Sequence, residues 1–105
     1  MNQFDKQTER NLKAKKLEKS GQVKKAIDLY EKNVSEGFYG NFPYDRLAII
    51  YSKNGLIDDE IRILTKAISV FQKVSNQGRA DGQPKLEKFL TRLKKVEEKK
   101  NKNAR

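Results

Sequence analysis

The densest group of candidate metal-binding or catalytic side chains in the sequence is acidic. Asp58, Asp59 and Glu60 are consecutive, and carboxylate oxygens are ligands for divalent cations. Consecutive side chains on a helix point about 100° apart, so these three cannot converge on one ion. They stand where a helix is predicted to begin, and negative charge is favourable in a first turn. Helix electrostatics therefore explains the cluster, and no metal site is predicted.

Two side chains that many enzymes use for nucleophilic and acid–base chemistry are absent from the sequence. The chain of 105 residues contains no His and no Cys. This composition excludes disulfides, thiolate or imidazole metal sites, and any catalytic dyad or triad built on imidazole or thiol. We therefore expect a protein that is not an enzyme and that uses no cofactor.

Positive charge is the other concentrated chemistry. Twenty-four Lys and Arg residues against 14 Asp and Glu give a net charge of +10, which favours acidic proteins, nucleic acid or anionic surfaces as partners. The basic residues cluster in three places: Lys13, Lys15, Lys16 and Lys19; Lys24 and Lys25; and Lys94, Lys95, Lys99, Lys100, Lys102 and Arg105. Such lysines can hold phosphates. Solvation of helix exteriors is an equally good explanation of the same charge.

The most aromatic segment is residues 38–44, with the sequence Phe-Tyr-Gly-Asn-Phe-Pro-Tyr. Aromatic side chains in a loop can contact a partner or pack against the core beside them. We favour a connecting loop whose rings pack on the core.

A period of 34 residues organises the elements that position these groups. Gly21 and Gly55 lie 34 residues apart, and at the same offset small residues match small ones and large apolar residues match large ones. The matching pairs are Ala14 with Ala48, Leu17 with Tyr51, Val23 with Ile57, Ile27 with Ile61, Tyr30 with Leu64, and Val34 with Ile68. The period predicts two repeats, at about 7–40 and 41–75. Glycine ends helices, so each repeat is predicted to hold two, at about 5–19, 23–36, 43–53 and 57–74.

The fourth predicted helix carries two apolar rows, which implies two packing neighbours. One row is Ile57, Ile61, Leu64, Ile68 and Phe71, and the other is Ile63, Ala67, Val70 and Val74. After a polar loop at 75–83, a fifth helix at about 84–98 carries a single stripe: Leu86, Phe89, Leu90, Leu93 and Val96. We expect this helix to cap the fourth. Residues 99–105 have no apolar anchor and are predicted to form a basic flexible tail.

These repeats resemble the tetratricopeptide repeat family. The second repeat matches well, and the first matches in part. The matching residues are Tyr44, Leu47, Ala48, Tyr51, Gly55, Leu64 and Ala67 in the second repeat and Ala14, Leu17, Gly21, Ala26 and Tyr30 in the first. The resemblance covers about residues 7–96. It implies an all-α fold in which about five helices form a right-handed stack of helical hairpins, as one domain over 1–98.

Three residues depart from the family pattern. Arg10 and Lys13 stand where the family has large apolar residues, so the first helix is predicted to be the least stable. Glu60 stands where the family has a small residue, and a side chain of this size works against close packing of helices three and four.

The family's first helices line a concave groove, and the resemblance implies which residues stand there. They are Asn11, Lys15 and Lys19 in the first repeat and Asp45, Ile49, Ser52 and Lys53 in the second. The Lys and Asn set with which some members clamp a carboxylate terminus is spread over three repeats, and this chain lacks it. The resemblance therefore implies an adaptor or small regulator that binds a peptide or helix of an acidic protein partner.

Two alternatives remain open at the level of sequence. A basic surface that binds nucleic acid is one, although Tyr30, Tyr51, Phe71 and Phe89 fall on predicted core faces rather than on stacking platforms. Self-association into a homo-oligomer is the other, since stacks of this kind usually need about three repeats for stability.

The expected compartment is the cytoplasm. No apolar run approaches the roughly 20 residues that span a bilayer, and the polar start Met-Asn-Gln-Phe-Asp-Lys lacks the core of a signal peptide. We therefore expect no membrane partner.

Overall fold

A computed structural model describes residues 2–103, which form five α-helices and, over that range, no β-strand. The helices are α1 Gln3–Lys19, α2 Val23–Ser35, α3 Phe42–Lys53, α4 Ile57–Asn76 and α5 Gly82–Asn103. The prediction of an all-α chain with about five helices is confirmed. The contacts divide the chain into two compact units between Leu47 and Ala48. We call them unit 1 and unit 2, and α3 contributes to both.

The two glycines of the 34-residue period end their helices in the same way. Gly21 has a φ of 84° and Gly55 a φ of 69°, in the left-handed region that glycine occupies without a steric penalty. After each glycine the next backbone N–H closes the turn. The N–H of Gln22 donates to the carbonyl of Leu17 at 2.8 Å, and that of Leu56 donates to the carbonyl of Tyr51 at 2.9 Å. Both predicted helix stops are confirmed.

Unit 1 is built from α1, α2 and the beginning of α3. α1 packs on α2, and the Tyr30 ring meets the Phe42 ring edge to face at 5.8 Å between centroids. The Tyr44 hydroxyl donates to the backbone carbonyl of Phe38 at 2.6 Å, which ties the connection between α2 and α3 to the core. Burial raises the pKa of Tyr44, so this hydroxyl remains a hydrogen-bond donor throughout the ordinary pH range.

Unit 2 is centred on the packing of α5 against α4, as the capping prediction requires. The rings of Phe71 and Phe89 stack with their centroids 5.6 Å apart. All four residues of the second apolar row of α4 are buried. One member of the predicted stripe was wrong, because Leu90 is 46% exposed. It follows Phe89, and the 100° turn between them carries its side chain away from α4.

Several predicted helix ends were also wrong, each for a local reason. α1 begins at Gln3 because the Asn2 side chain caps it, accepting from the backbone N–H of Asp5 at 2.8 Å. The predicted loop 75–83 shrinks to 77–81, since α4 continues to Asn76 and α5 begins at Gly82.

The carboxyl end of α5 lies beyond the predicted helix limit of 98. The helix continues to Asn103, and the Lys100 ammonium donates to the Asp58 carboxylate at 2.7 Å. Residues 99–103 of the predicted tail are therefore helical, and its residues 104 and 105 lie outside the described part of the chain.

The tight approach of α5 to the end of α4 yields a test of unit 2. A Cβ atom at Gly82 would lie 2.6 Å from the backbone nitrogen of Ser75 and 2.7 Å from its Cα. Gly82→Ala must therefore displace backbone, and we expect it to lower the free energy of unfolding by about 1–3 kcal/mol. Urea unfolding followed by circular dichroism measures this change. Gln77→Ala, exposed in the adjoining loop, serves as the control. Equal stabilities of the two variants would contradict the close packing of Gly82 on α4.

Candidate partner-binding surface

The interface between α1 and α2 is held by buried polar side chains. Asn33 of α2 is fully buried, with 0% of its surface exposed. Its amide nitrogen donates to the backbone carbonyl of Gln7 at 2.8 Å and to the side-chain oxygen of Asn11 at 2.7 Å. Its own oxygen accepts from the Arg10 guanidinium at 2.5 Å. The Asn33 side chain of α2 thus contacts three residues on the side of α1 that faces it: Gln7, Arg10 and Asn11.

Glu36, just after α2, completes this group. Its carboxylate accepts from Arg10 at 2.9 Å and from the side-chain amide of Gln7 at 3.0 Å. The Arg10 hydrogen bond, followed by that of Gln7, holds the pKa of Glu36 below its ordinary value. We call Gln7, Arg10, Asn11, Asn33 and Glu36 the polar cluster. Every buried polar side-chain atom in the described residues has a hydrogen-bond partner, so Arg10 is accommodated here by pairing and not by apolar contact.

A second polar contact joins α1 to α3 within unit 1. Glu18 accepts from the guanidinium of Arg46 with both carboxylate oxygens, and from the Tyr30 hydroxyl at 3.0 Å. Burial, and then the Glu18 hydrogen bond, raises the pKa of Tyr30. The hydrogen bond to Glu18 also raises the pKa of Arg46. Bidentate arginine–carboxylate pairs fix orientation as well as distance, so this contact sets the direction in which α3 leaves the loop.

Polar side chains occupy much of the inner side of α1, and two of its three large apolar residues, Phe4 and Leu12, lie outside, whereas Leu17 is half-buried. Phe4 is 39% exposed and Leu12 is 57% exposed. At 100° per residue, Phe4 and Leu12 share an arc of about 80° with three exposed polar residues. We call this set the α1 outer face: Phe4, Thr8, Leu12, Lys15 and Lys19.

Aromatic rings extend the amino end of the α1 outer face. The Phe4 ring stacks on Phe38 and on Tyr39, with centroid distances of 5.4 and 5.2 Å. Phe38 is buried, but Tyr39 is 47% exposed. The prediction that the rings of 38–44 pack on the core is therefore confirmed for Phe38 and Tyr44 and wrong for Tyr39.

The residues of unit 1 that were predicted to line a groove differ in their exposure to solvent. Lys15 and Lys19 are exposed on the α1 outer face, and the Lys15 ammonium lies 6.0 Å from the centroid of the Phe42 ring. Asn11 is buried, which contradicts its predicted place on an accessible surface; its oxygen accepts from Asn33 in the polar cluster. Asp45 is half-buried, and the Asn41 side chain donates to it at 2.6 Å.

The remaining predicted groove residues lie in the part of α3 that belongs to unit 2. Ser52 and Lys53 are exposed and Ile49 is half-buried. Phe4 and Leu12 were not among the residues predicted from the sequence to bind a partner. Their eight-residue spacing, continued by Lys15 and Lys19, was the available signal. It was obscured because the inner side of α1 has no large apolar stripe to mark which side faces the core.

The acidic residues at 58–60 stand in the first turn of α4, as predicted. Asp58 pairs with Lys100, and Asp59 accepts from Arg62 at 3.2 Å. Burial raises the pKa of Glu60, against a smaller opposing effect of Lys99 and Arg92. Within residues 2–103, no group of three acidic, His or Cys side chains is arranged to hold a metal ion. No helix in the same range is long and apolar enough to cross a membrane.

Unit 2 offers two depressions as alternatives to the α1 outer face. A depression of about 450 Å³ lies beside Leu56 and Ile57, and its Asp58 and Lys100 already pair with each other. Another, of about 400 Å³, lies along α5 beside Leu90 and Leu93. Neither combines several exposed apolar residues with unpaired like charge, so the α1 outer face is the stronger candidate.

The polar cluster makes a prediction about stability. Asn33→Leu keeps the number and branching of the side-chain heavy atoms but leaves the Gln7 carbonyl, the Asn11 side chain and the Arg10 guanidinium each short of one partner. Buried polar groups without partners cost about 1–3 kcal/mol each. We therefore expect the free energy of unfolding, measured in urea, to fall by about 3 kcal/mol. The double variant Asn11→Leu/Asn33→Leu should recover part of this loss, because it removes both ends of one hydrogen bond. If the free energy of unfolding of Asn33→Leu lies within about 0.5 kcal/mol of that of the parent, the polar cluster does not hold α1.

The depressed pKa of Glu36 makes a second prediction, about pH. A carboxyl whose pKa is lower in the folded state than its ordinary 4.5 stabilises the fold above that pH, and this stabilisation is lost as pH falls through the folded-state value. Glu36→Gln should therefore be less stable than the parent at pH 7, and the difference should shrink steadily below pH 4.5. Unfolding midpoints measured across this range test it, with the exposed Glu9→Gln as control. A difference independent of pH would contradict the Arg10–Glu36 pairing.

No protein-family model, curated protein or solved structure matches this chain. The function proposed below therefore depends on the geometry of the α1 outer face and on the repeat pattern of the sequence.

Proposed function

We propose that this chain is a non-catalytic protein-interaction module, an adaptor or small regulator, that binds a peptide or helix of an acidic protein partner on the α1 outer face. The observation that carries the proposal is the coincidence on one helix face of two exposed large apolar side chains and exposed lysines. Phe4 and Leu12 supply the apolar contacts, and Lys15 and Lys19 supply the charge.

Exposed apolar side chains provide the affinity in this proposal. Burying a large apolar side chain from full exposure contributes about 1.5–3 kcal/mol. Apolar patches rimmed by polar residues mark interaction sites on protein surfaces. Phe4 and Tyr39 form such a patch in unit 1 with the stacked Phe38, and the exposed Leu12 follows about two turns further along α1.

Uncompensated charge provides the preference for an acidic partner. Lys13, Lys15, Lys16 and Lys19 are all exposed. None of these four residues of α1 takes part in an ion pair within residues 2–103. Unpaired like charges on one helix attract a negatively charged surface and accelerate its association.

The proposal includes a tetratricopeptide-like stack as the scaffold and the cytoplasm as the compartment. The 34-residue pairing of residues and the recurrence of the same turn at Gly21 and Gly55 support the stack. Binding rather than catalysis is supported by the absence of His and Cys from the sequence.

The alternative is association with nucleic acid through the same lysines, extended by the exposed Lys24 and Lys25 of α2. Phosphate contacts of this kind weaken steeply with salt. Tyr30, Tyr51, Phe71 and Phe89 are buried, so these four rings supply no stacking surface for bases. The protein partner is therefore favoured.

Affinity capture from the native host, compared with and without nuclease, tests the function. We expect Lys15→Glu/Lys19→Glu to lose at least about nine-tenths of the protein captured by the parent after nuclease treatment, because both charges on the outer face are reversed. Lys94→Glu/Lys95→Glu is the matched control, since it changes the net charge equally at exposed positions of α5. Circular dichroism establishes that both variants stay folded.

Two results would contradict the proposal. Loss of all captured protein on nuclease treatment, together with a gel shift at low salt, would identify nucleic acid as the partner. Equal capture by the two double variants would show that the α1 outer face is not the site.

A further inference from the structure

The α1 outer face changes character along its length. Its large apolar side chains, Phe4 and Leu12, stand in the first part of the helix and are about 12 Å apart at 1.5 Å per residue. Its basic side chains, Lys15 and Lys19, stand in the last part. The face is thus divided into an apolar half and a cationic half that follow each other along the helix axis.

The apolar half is ordered before any partner arrives. The Phe4 ring is stacked on Phe38 and Tyr39, and the carbonyl of Phe38 accepts from the Tyr44 hydroxyl. A Cβ atom at Gly40 would lie 2.7 Å from the Phe38 ring, so the loop follows the ring closely. A surface that is already ordered loses less conformational entropy on binding, which makes it suited to a small number of anchoring side chains.

The charges flanking the face are separated in the same direction. Asp5 and Glu9 are exposed beside the apolar half, whereas Lys16 adds to the cationic half. An acidic segment is therefore repelled at the amino end of α1 and attracted at the carboxyl end. Electrostatic complementarity of this kind fixes the orientation of a bound segment and excludes the reversed one.

We propose that the occupant of the α1 outer face is an amphipathic helix whose binding side is itself divided, with large apolar residues in one half and acidic residues in the other. This inference rests on the proposed function and specifies its partner. The 12 Å between Phe4 and Leu12 corresponds to apolar residues about seven or eight positions apart on the partner helix. Its acidic residues follow within the next two turns and meet Lys15 and Lys19.

Two designed helical peptides of about 18 residues and identical composition test the inference by fluorescence anisotropy. In the segregated peptide, two Leu residues seven positions apart occupy one half of a face and three Glu residues occupy the other half. In the mixed peptide, the same Leu and Glu residues alternate along that face. We expect the full chain to bind the segregated peptide at least about tenfold more tightly than the mixed one.

Variants locate the binding of the segregated peptide. Leu12→Ser and Phe4→Ala should each weaken it by about tenfold at any salt concentration, because they remove apolar contacts. Lys15→Glu/Lys19→Glu should weaken it most at low salt, because screening already reduces the charge contribution at high salt. Leu90→Ser, on the exposed side of α5 in unit 2, is the matched control and should leave binding unchanged.

The outcomes separate this inference from the function on which it rests. Equal affinity for the two peptides, or no binding of either, overturns the divided helix as the partner. If the Lys15→Glu/Lys19→Glu variant still loses captured protein in that case, the binding function stands and the partner segment is of another form. A third result is that the segregated peptide binds preferentially while Leu12→Ser and Leu90→Ser both leave its affinity unchanged. That result would place the binding site outside the α1 outer face and would also overturn the inference.

Discussion

The buried amide of Asn33 is the constraint on which the arrangement of unit 1 depends. Its three hydrogen bonds reach Gln7, Arg10 and Asn11, which are spaced three and one residues apart on α1. Directional bonds to these positions fix both the rotation of α1 about its axis and its translation along α2. Turning α1 by one residue would swing every side chain by about 100° and would leave a buried amide and a guanidinium without partners. The cost of unpaired buried groups, more than apolar attraction, selects the observed register.

The register of α1 on α2 also determines which residues of α1 lie at the surface. Attachment of α1 through Phe4 and Leu12 would have placed these two residues in the core. With Gln7, Arg10 and Asn11 on the inner side, Phe4 and Leu12 lie outside, beside Lys15 and Lys19, which take part in no ion pair within residues 2–103. Glu18, which accepts hydrogen bonds from Arg46 and from Tyr30, acts in the same way on α3, so unit 1 is held by oriented polar contacts at two places. The exposed apolar residues of α1 are thus a result of how the helix is attached, and they are available for an intermolecular contact.

The sequence predicted well what depends on local pattern. The glycines at 21 and 55 mark real helix stops. The second row of α4 is buried, as are Leu86, Phe89 and Val96 of the α5 stripe, because apolar periodicity reports burial directly. The sequence predicted poorly what depends on pairing across helices. Arg10 was predicted to weaken α1 because its partners, Asn33 and Glu36, lie 23 and 26 residues away in the sequence and could not be recognised from it. For the same reason Asn11 was assigned to the surface. Lys15 and Lys19, predicted to line a groove, are exposed, whereas Phe4 and Leu12 became candidates only when the inner side of α1 was known.

Nuclear magnetic resonance of the Asn33 side-chain amide tests the central claim most directly. If the polar cluster holds α1, the two amide protons exchange slowly with water and show nuclear Overhauser contacts to Gln7 and Asn11, while the Leu12 methyl groups show contacts only within α1. Rapid exchange of the Asn33 amide, together with contacts from the Leu12 methyl groups to α2, would mean that α1 is attached by its apolar side. That result would contradict both the polar register and the outer face derived from it.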